Sequence, residues 1–492
     1  MADLQKRLGL VQLVALGAAG VVGTSWIYTN GKFFAKYGAG GEIFGLMAAA
    51  MLCSFIAMAY AQMASTIPRA GGEVVYAYSA FNRTTGFAAG WLLAGAFISS
   101  LAFYVTAFGT LLLKIFPGMA TAPLFTINAE PVYLPVLAVG VGLALVIFAL
   151  NWFGLSFGVS LQIVLFGAML LIGAALVVTG FVHGTAANFF PPFAEGKNAA
   201  GSIIRFILPG MTFLTGFGLV AIMAEDAKIA HRKIGIAVVT SVLVAAGFYV
   251  LVLTSSAWVI PWEQTAKLPQ GTIDAFQTAG FTILGWGAYA IAVLGLLTSF
   301  LALFLATSRI LIAMGRSGLL PAGLGKINEK RSTPGPALIF TLAVTLGLGW
   351  LGKGAMIWFL DAGGVFIGLA WTLGVASMYR LDRRFPRLEV GYRARPSWLP
   401  AVGAVGAVFV IAFALWPGTD LSLVWPQEYL ILGVWLLLGV VMYALAGRHR
   451  VAEPRRQLLG EYYDKMFDQN GKPLGSAIRP ASMSKEDARS PQ

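Results

Sequence analysis

Two clusters of small and hydroxyl-bearing residues interrupt long apolar stretches of this 492-residue chain. The first, GAAGVVGTS, covers residues 17–25, and the second, PGMTFLTGFG, covers residues 209–218. A helix break at either place would leave N–H and C=O groups that lipid cannot satisfy. Such breaks persist beside a polar cavity, and paired breaks in two halves of a chain indicate a solute-binding site. The alternative is that the glycines only let helices pack closely.

The residue types in the first cluster suit the carboxylate of an α-amino acid. If a helix restarts after the break, the N–H groups of Gly23, Thr24 and Ser25 are free at its positive end, which favours an anion. Neither cluster contains an acidic side chain for an ammonium group, so backbone carbonyls must accept its hydrogen bonds. Alternatively, the hydroxyls of Thr24, Ser25 and Thr215 bond back to their own helices.

Aromatic residues near the clusters are candidates for lining or closing the cavity. Phe213 and Phe217 flank Gly216 in the second cluster, and Tyr104 lies in another apolar run. Because aromatic residues make up 13% of the chain, packing is the alternative role for each of them.

One carboxylate lies inside an apolar run. Asp361 falls in the outer third of the run at 356–379, and acidic residues within membrane helices are costly and usually functional. We expect Asp361 to act at an outer gate, with Lys32 as its partner, or to attract a cationic solute. The alternative is an interfacial residue within reach of water.

The composition places these residues in a membrane. Hydrophobic residues make up 58% of the chain and charged residues 11%, with a mean hydropathy of +0.78, whereas soluble domains carry about 25% charged residues. The apolar runs are long enough to span a bilayer. The sequence therefore predicts an all-α integral membrane protein of about twelve transmembrane helices, near residues 10–29, 41–66, 86–115, 132–150, 154–182, 202–224, 235–260, 281–313, 336–352, 356–379, 398–416 and 428–447.

The net charge of +13 orients the chain in the membrane and does not require a nucleic-acid partner. With the N-terminus in the cytosol, the inner side holds 27 of the 34 Lys and Arg residues and the outer side holds 6, while Arg205 falls at the edge of a span. This is the positive-inside bias. We expect a multi-pass protein of the cell (inner) membrane with both termini cytosolic, whose partners are the lipid bilayer and a small-molecule solute.

Other kinds of chemistry find little support in the sequence. The single cysteine, Cys53, allows no intramolecular disulfide. No small-residue cleavage site follows the first apolar stretch, so we expect the N-terminus to be a short cytosolic lead into the first helix and not a signal peptide. The three histidines fall in different loops, and no phosphate-binding glycine motif is present. We therefore expect neither an enzyme, nor an ATP-driven pump, nor a cofactor.

Four segments resemble signatures of the amino acid–polyamine–organocation (APC) family of permeases. They are GVVGTSWIY at 20–28, AYAQMASTIPRAGGEVVYAYSAF at 59–81, FLTGFGLVAIMAEDAKIAHR at 213–232 and ATSRILIAMGRSGLLPAGLGKIN at 306–328. They follow the family's order across roughly residues 8–445. The resemblance implies the leucine-transporter fold, with alternating access around a central site.

That fold divides the chain into predicted parts. A transmembrane domain at 1–452 contains two inverted five-helix repeats, helices 1–5 at about 8–182 and helices 6–10 at about 202–380, with helices 1 and 6 discontinuous. Two peripheral helices follow at about 398–447. We expect the polar tail at 453–492 to be cytosolic and mostly disordered, although residues 455–467 have the pattern of an amphipathic helix at the inner leaflet.

The resemblance also assigns ligands for the solute, with two departures. It implies that the backbone carbonyls of Val21, Thr212 and Thr215 accept hydrogen bonds from the ammonium group. Many members carry an acidic residue where this chain has Gly218, and proton-coupled relatives often carry a lysine in the fifth helix, whereas the run at 154–182 has none.

A sodium site is implied by the same resemblance. In sodium-coupled members of the fold, a small residue followed three and four positions later by two hydroxyl residues helps to bind Na⁺. Gly295, Thr298 and Ser299 have this spacing, and the resemblance adds the carbonyls of Ala19 and Val22. The alternative is that the two hydroxyls bond to their own helix, with solute exchange that needs no ion.

Taken together, the sequence predicts a secondary active transporter that moves an amino acid and is coupled to Na⁺ or H⁺. The alternative is an exchanger of amino acids or of amines such as a polyamine, ethanolamine or γ-aminobutyrate; the lack of an acidic residue at Gly218 counts against polyamines. A non-transporting membrane sensor is a further alternative. The solute's side chain and the oligomeric state stay open.

Overall fold

A computed structural model describes residues 9–69, 71–153, 159–222, 224, 227–328, 333–419, 421–447, 453–469 and 471–474, except for the side chains of residues 16 and 159–161. Within these ranges nine helices are long and apolar enough to cross a membrane, and three shorter apolar helices accompany them. The prediction of an all-α, multi-span membrane protein is confirmed. The number of apolar helices in the described residues also agrees with the twelve predicted spans.

The first half of the bundle begins with a broken helix. Its helices are α1 (Leu10–Val21), α2 (Ser25–Tyr28), α3 (Asn30–Thr66), α4 (Glu73–Ala80), α5 (Arg83–Leu112), α6 (Leu134–Trp152) and α7 (Val159–His183). The helix leaves regular geometry at Val22, where ψ is 83°, and restarts at Ser25. After the restart, helical structure continues past the predicted end at residue 29 as far as a kink at Gly38, where φ is 78° and a side chain would be strained.

The second half also begins with a broken helix. Its helices are α8 (Ala199–Phe213), α9 (Gly218–Ile222), α10 (His231–Val259), α11 (Trp262–Thr265), α12 (Gly271–Thr278), α13 (Thr282–Arg316), α14 (Gly335–Gly349) and α15 (Met356–Arg384), followed by α16 (Leu399–Leu415) and α17 (Gln427–Ala446). A short 3₁₀ turn at Thr215–Phe217 separates α8 from α9. Both breaks therefore fall within the predicted glycine-containing clusters.

A β-hairpin that the sequence analysis did not predict lies between α5 and α6. It pairs β1 (Pro123–Ile127) with β2 (Glu130–Tyr133) through a two-residue turn. The turn residues Asn128 and Ala129 have φ values of 49° and 60°, which match the left-handed turn that favours tight hairpins. Glu130 at the start of β2 lies 3.7 Å from Lys32 Nζ and 3.2 Å from Lys353 Nζ. We call this end of the bundle the hairpin face.

The loops of the opposite end bind one another and form what we call the basic face. Arg83 donates a hydrogen bond of 2.6 Å to the carbonyl of Gly318, which joins α5 to the loop after α13. The backbone N–H of Tyr392 donates to Ser65 Oγ at 2.8 Å, which joins the loop after α15 to the end of α3. These contacts place three loops that were predicted to be cytosolic at the same end.

The first part of the tail packs on the basic face. It forms α18 (Pro454–Leu459) and α19 (Tyr463–Met466). The Phe467 ring lies 5.3 Å from that of Phe385, and the Arg455 guanidinium lies 5.7 Å from the Tyr78 ring. The tail was expected to be mostly disordered, but its described residues, 453–469 and 471–474, pack against the bundle. The buried apolar side chains of this part are Leu458, Leu459, Tyr462, Met466 and Phe467. Residues 475–492 lie outside the described residues.

Candidate solute site at the helix breaks

The two helix breaks touch each other in the middle of the bundle. The backbones of Gly20 and Gly216 are in direct contact, and a Cβ atom on Gly216 would lie 2.3 Å from the carbonyl group of Gly20. A Cβ atom on Gly20 would lie 2.2 Å from the side chain of Leu219. Tyr249 on α10 joins the two broken helices, since its hydroxyl donates to the carbonyl of Val21 at 2.5 Å and lies 3.5 Å from the carbonyl oxygen of Phe213. The sequence analysis missed Tyr249; its only signal was a hydroxyl-bearing aromatic residue in the apolar run that became α10.

A small cavity lies beside this contact. Its lining comes from the two broken helices and from α5, α13 and α15, and consists of Gly20, Val21, Ser25, Ser100, Phe103, Tyr104, Thr212, Phe213, Thr215, Gly216, Leu303 and Leu360. The structure thus brings together most of the residues predicted to bind the solute. None of these lining residues is charged.

Three of the predicted residues do not line the cavity. Gly23 is next to it: a Cβ atom there would lie 2.6 Å from Tyr104 Oη, and its carbonyl accepts a hydrogen bond of 2.8 Å from the Trp26 indole. Thr24 is fully buried. Phe217 points away from the cavity and packs between the rings of Tyr60 and Trp371, at 5.6 and 4.9 Å.

The hydroxyl groups at the breaks have different partners. Thr215 Oγ1 donates to the carbonyl of Met211 at 3.2 Å, so this hydroxyl bonds back to its own helix. Thr212 Oγ1 donates to the carbonyl of Leu360 at 2.6 Å and ties α8 to α15. The Thr24 hydroxyl has no hydrogen-bond partner among the residues that the structure describes. An unpaired buried hydroxyl is costly, so a polar group of a bound solute would stabilise it.

The predicted sodium ligands come together only in part. Ser299 Oγ lies 3.2 Å from the carbonyl oxygen of Ala19 and 3.3 Å from that of Val22, so three oxygens from α1 and α13 converge. Gly295 packs against the same turn, where a Cβ atom would lie 2.9 Å from the Val22 oxygen. Thr298 Oγ1, however, donates to the carbonyl of Leu294 at 2.9 Å within its own helix. The donor set fits a hard cation through Ser299 and the two carbonyls.

Asp361 forms a buried ion pair with a residue that the sequence analysis did not consider. Its Oδ2 lies 2.5 Å from Arg205 Nη2, and Glu428 Oε2 lies 3.9 Å from the same nitrogen. All three side chains are at most 2% exposed. They join α15, α8 and the peripheral helix α17, next to the cavity-lining residue Leu360.

Two expectations for Asp361 were wrong. Lys32 is not its partner, because Lys32 contacts Glu130 of the hairpin instead. Asp361 is also not an interfacial residue within reach of water, since it is 1% exposed. The sequence could not reveal this pairing, because Arg205 is 156 positions away and lies at the edge of its apolar run.

A many-helix bundle with two broken helices around an uncharged, buried cavity defines a class of membrane transporter. Comparison with known proteins gives the family: residues 8–440 match the amino acid permease family, and the chain belongs to it. The chain is 28% identical over 453 residues to the branched-chain amino acid permease BcaP of Lactococcus lactis, covering 89% of this chain and 93% of that protein.

Two relatives from Bacillus subtilis are also similar over most of their length. The branched-chain amino acid permease BcaP is 25% identical, over 91% of this chain and 94% of that protein. The methylthioribose transporter is 24% identical, over the same shares of the two chains. These names describe a membrane transport protein and not an enzyme.

Proposed function

We propose that this protein transports apolar amino acids of the branched-chain type across the cell membrane by alternating access at the paired helix breaks. The observation that carries the proposal is the lining of the cavity. Phe103, Phe213, Leu303 and Leu360 give it an apolar side, and none of its lining residues is charged. The names of the two BcaP relatives support the same solute class.

The polar end of an amino acid suits the break in the first helix. Among the described residues, the backbone N–H groups of Thr24 and Ser25 form no hydrogen bond within the protein. The Gly23 N–H, which was predicted to be free, donates to the Val21 carbonyl at 2.8 Å, and Tyr249 donates to the same oxygen, so both of its lone pairs are used. A carboxylate at the N–H groups of Thr24 and Ser25 would use the polar end of the break.

Cationic amines fit this cavity less well. A polyamine carries more than one ammonium group, and a buried cation needs a paired charge or several acceptors. The nearby carboxylate of Asp361 is already paired with Arg205. We therefore propose amino acids over amines.

The second part of the proposal concerns the driving ion and the orientation. Uptake is coupled to Na⁺ or H⁺, and the three converging oxygens of Ala19, Val22 and Ser299 support Na⁺. The protein lies in the cell (inner) membrane, with the basic face and both termini in the cytosol. This orientation follows from the concentration of Lys and Arg residues at the basic face.

Uptake of radiolabelled solutes into proteoliposomes tests the proposal. We expect leucine, isoleucine and valine to accumulate or exchange, and lysine and putrescine not to do so. A Gly23→Leu variant provides the inactive control, since its Cβ alone would meet Tyr104 Oη. Uptake of lysine or putrescine with no uptake of leucine would overturn the solute assignment. Equal uptake with Na⁺ or choline outside, at fixed pH and voltage, would exclude Na⁺ as the driver.

A further inference from the structure

A second buried polar site lies between the basic face and the broken second helix. Glu73, the first residue of α4, is 0% exposed. Both of its carboxylate oxygens lack a hydrogen-bond partner among the described residues. A charged carboxylate in such a place has lost its hydration, and its own backbone N–H and the Tyr60 hydroxyl compensate only in part, which favours the neutral acid.

Among the residues that the structure describes, the surroundings of Glu73 contain hydroxyls and no cation. Tyr60 on α3 and Tyr76 on α4 face the carboxyl group, and both hydroxyls also lack partners among the described residues. On the other elements that pack against α4, namely α5, α13, α15 and α18, no described charged group bears on it. Residues 225 and 226, which follow α9, lie outside the described residues.

Glu73 also lies against the second half of the broken helix. A Cβ atom on Gly218, the first residue of α9, would lie 3.6 Å from Glu73 Oε1. A Cβ atom on the neighbouring Gly72 would lie 3.2 Å from Ile222 Cγ1, at the end of α9. The loop before α4 and the far half of the broken helix therefore close on each other with the carboxyl group between them.

We propose that Glu73 is a proton-binding site, and that its neutral form stabilises α9 in the position closed against α4 at the basic face. A neutral acid donates one hydrogen bond and can be buried beside Tyr60. A charged carboxylate needs water, which enters only when α9 separates from α4, and the proton then leaves to that water. The site itself does not depend on the proposed solute; its role in transport rests on the proposed function.

The direction of the pH dependence follows from burial. Burial raises the pKa of Glu73 from 4.5 to about 7 in the closed arrangement, whereas the hydrated carboxyl of an open arrangement keeps its ordinary pKa. The closed form is therefore fully stabilised below pH 4.5 and loses stability as the pH rises to about 7. Within this window the ratio of open to closed protein rises by up to about tenfold per pH unit.

Cysteine labelling without any solute tests the site. In a Cys53→Ala background, we expect a maleimide to react with Ile222→Cys, which is buried at the end of α9 and lies against Gly72 just before α4, only when the two elements separate. Lys228→Cys, which is exposed in the following loop, corrects for the pH dependence of the thiol itself. We expect the ratio of the two labelling rates to rise between pH 5 and 7 and to level off above that, about a hundredfold in all.

Three variants complete the test. Glu73→Gln should give a low ratio at every pH, whereas Glu42→Gln, an equally buried carboxyl on α3, should keep the rise of the parent protein. Adding Gly218→Asp to Glu73→Gln should restore the rise, because residue 218 has helical angles and faces the same space. A flat ratio in the parent protein, or an unchanged rise in Glu73→Gln, would overturn the proposal. The labelling assay contains no solute, so a failure of the protein to take up leucine would contradict the proposed function and not the proton site.

Discussion

The carbonyl oxygen of Gly20 occupies the space that a Cβ atom on Gly216 would need. The two glycines come from different halves of the chain, one just before the first helix break and the other within the second. Their contact lets the two exposed backbone segments share one cavity, because any side chain would push the broken helices apart. The close approach of the two backbones is thus a structural requirement of the proposed site.

Gly216→Ala should weaken solute binding by about five- to a hundredfold, since relief of this overlap needs a shift of the whole break and overpacking costs about 1–3 kcal/mol. Isothermal titration with leucine on purified protein measures the effect. Gly247→Ala on α10 is the matched control, because nothing lies within 4 Å of a Cβ atom there. Equal affinities in the two variants would show that the contact is not needed for binding.

Tyr249→Phe should lower both the thermal stability and the solute affinity. The variant loses the hydroxyl that reaches Val21 and Phe213, and one buried hydrogen bond contributes about 0.5–1.5 kcal/mol. Tyr289→Phe is the control: it removes a hydrogen bond of 3.2 Å to the carbonyl of Leu111, away from the breaks. It should lower the melting temperature and leave the affinity for leucine unchanged. If both variants behave alike, Tyr249 serves only general packing.

The hydroxyls of Ser299 and Thr298 should differ in their effect on sodium dependence. Ser299→Ala removes the oxygen that meets Ala19 and Val22, so Na⁺-stimulated uptake should fall by tenfold or more, which corresponds to about 1.4 kcal/mol. Thr298→Val should have a smaller effect, because that hydroxyl bonds to Leu294. Uptake at a series of Na⁺ concentrations gives the comparison. Equal losses in both variants would mean that Thr298 turns toward the ion.

Asp361→Asn should strongly destabilise the protein, by about 3–5 kcal/mol, because it leaves the buried Arg205 without its closest counter-charge. Lys353→Met should change stability by less than about 1 kcal/mol, since its pair with Glu130 is partly exposed. Melting temperatures in detergent report both effects. A double variant, Arg205→Met with Asp361→Leu, should recover much of the loss, and its failure to do so would point to a role beyond charge pairing.

Cysteine labelling of intact cells tests the orientation. In a Cys53→Ala background, Lys267→Cys on the hairpin face should react with an impermeant maleimide, and Arg387→Cys on the basic face should not. Both positions are exposed, so access alone decides the result. The reverse pattern would place the basic face outside the cell.

The sequence predicts backbone features of this fold better than its side-chain partners. Both breaks were predictable, because glycine and hydroxyl residues concentrated in the middle of an apolar run weaken the helix at that point. The pairing of Asp361 with Arg205 and the bridge from Tyr249 to Val21 were not, since each joins residues far apart in the chain and leaves no periodic pattern. The docking of the tail was not predicted, although the pattern at 455–467 indicated an amphipathic helix, because its apolar residues are few and lie in a polar segment.

The buried charge cluster bears on how the protein is assembled in the membrane. During synthesis α8 emerges with Arg205 well before α15 brings Asp361 and α17 brings Glu428. An unpaired arginine within a membrane helix is costly, by up to about 2.5–3.5 kcal/mol at the helix centre on insertion scales. The start of α8 should therefore stay near the interface until α15 is made, and a chain truncated before Asp361 should be recognised by quality-control proteases.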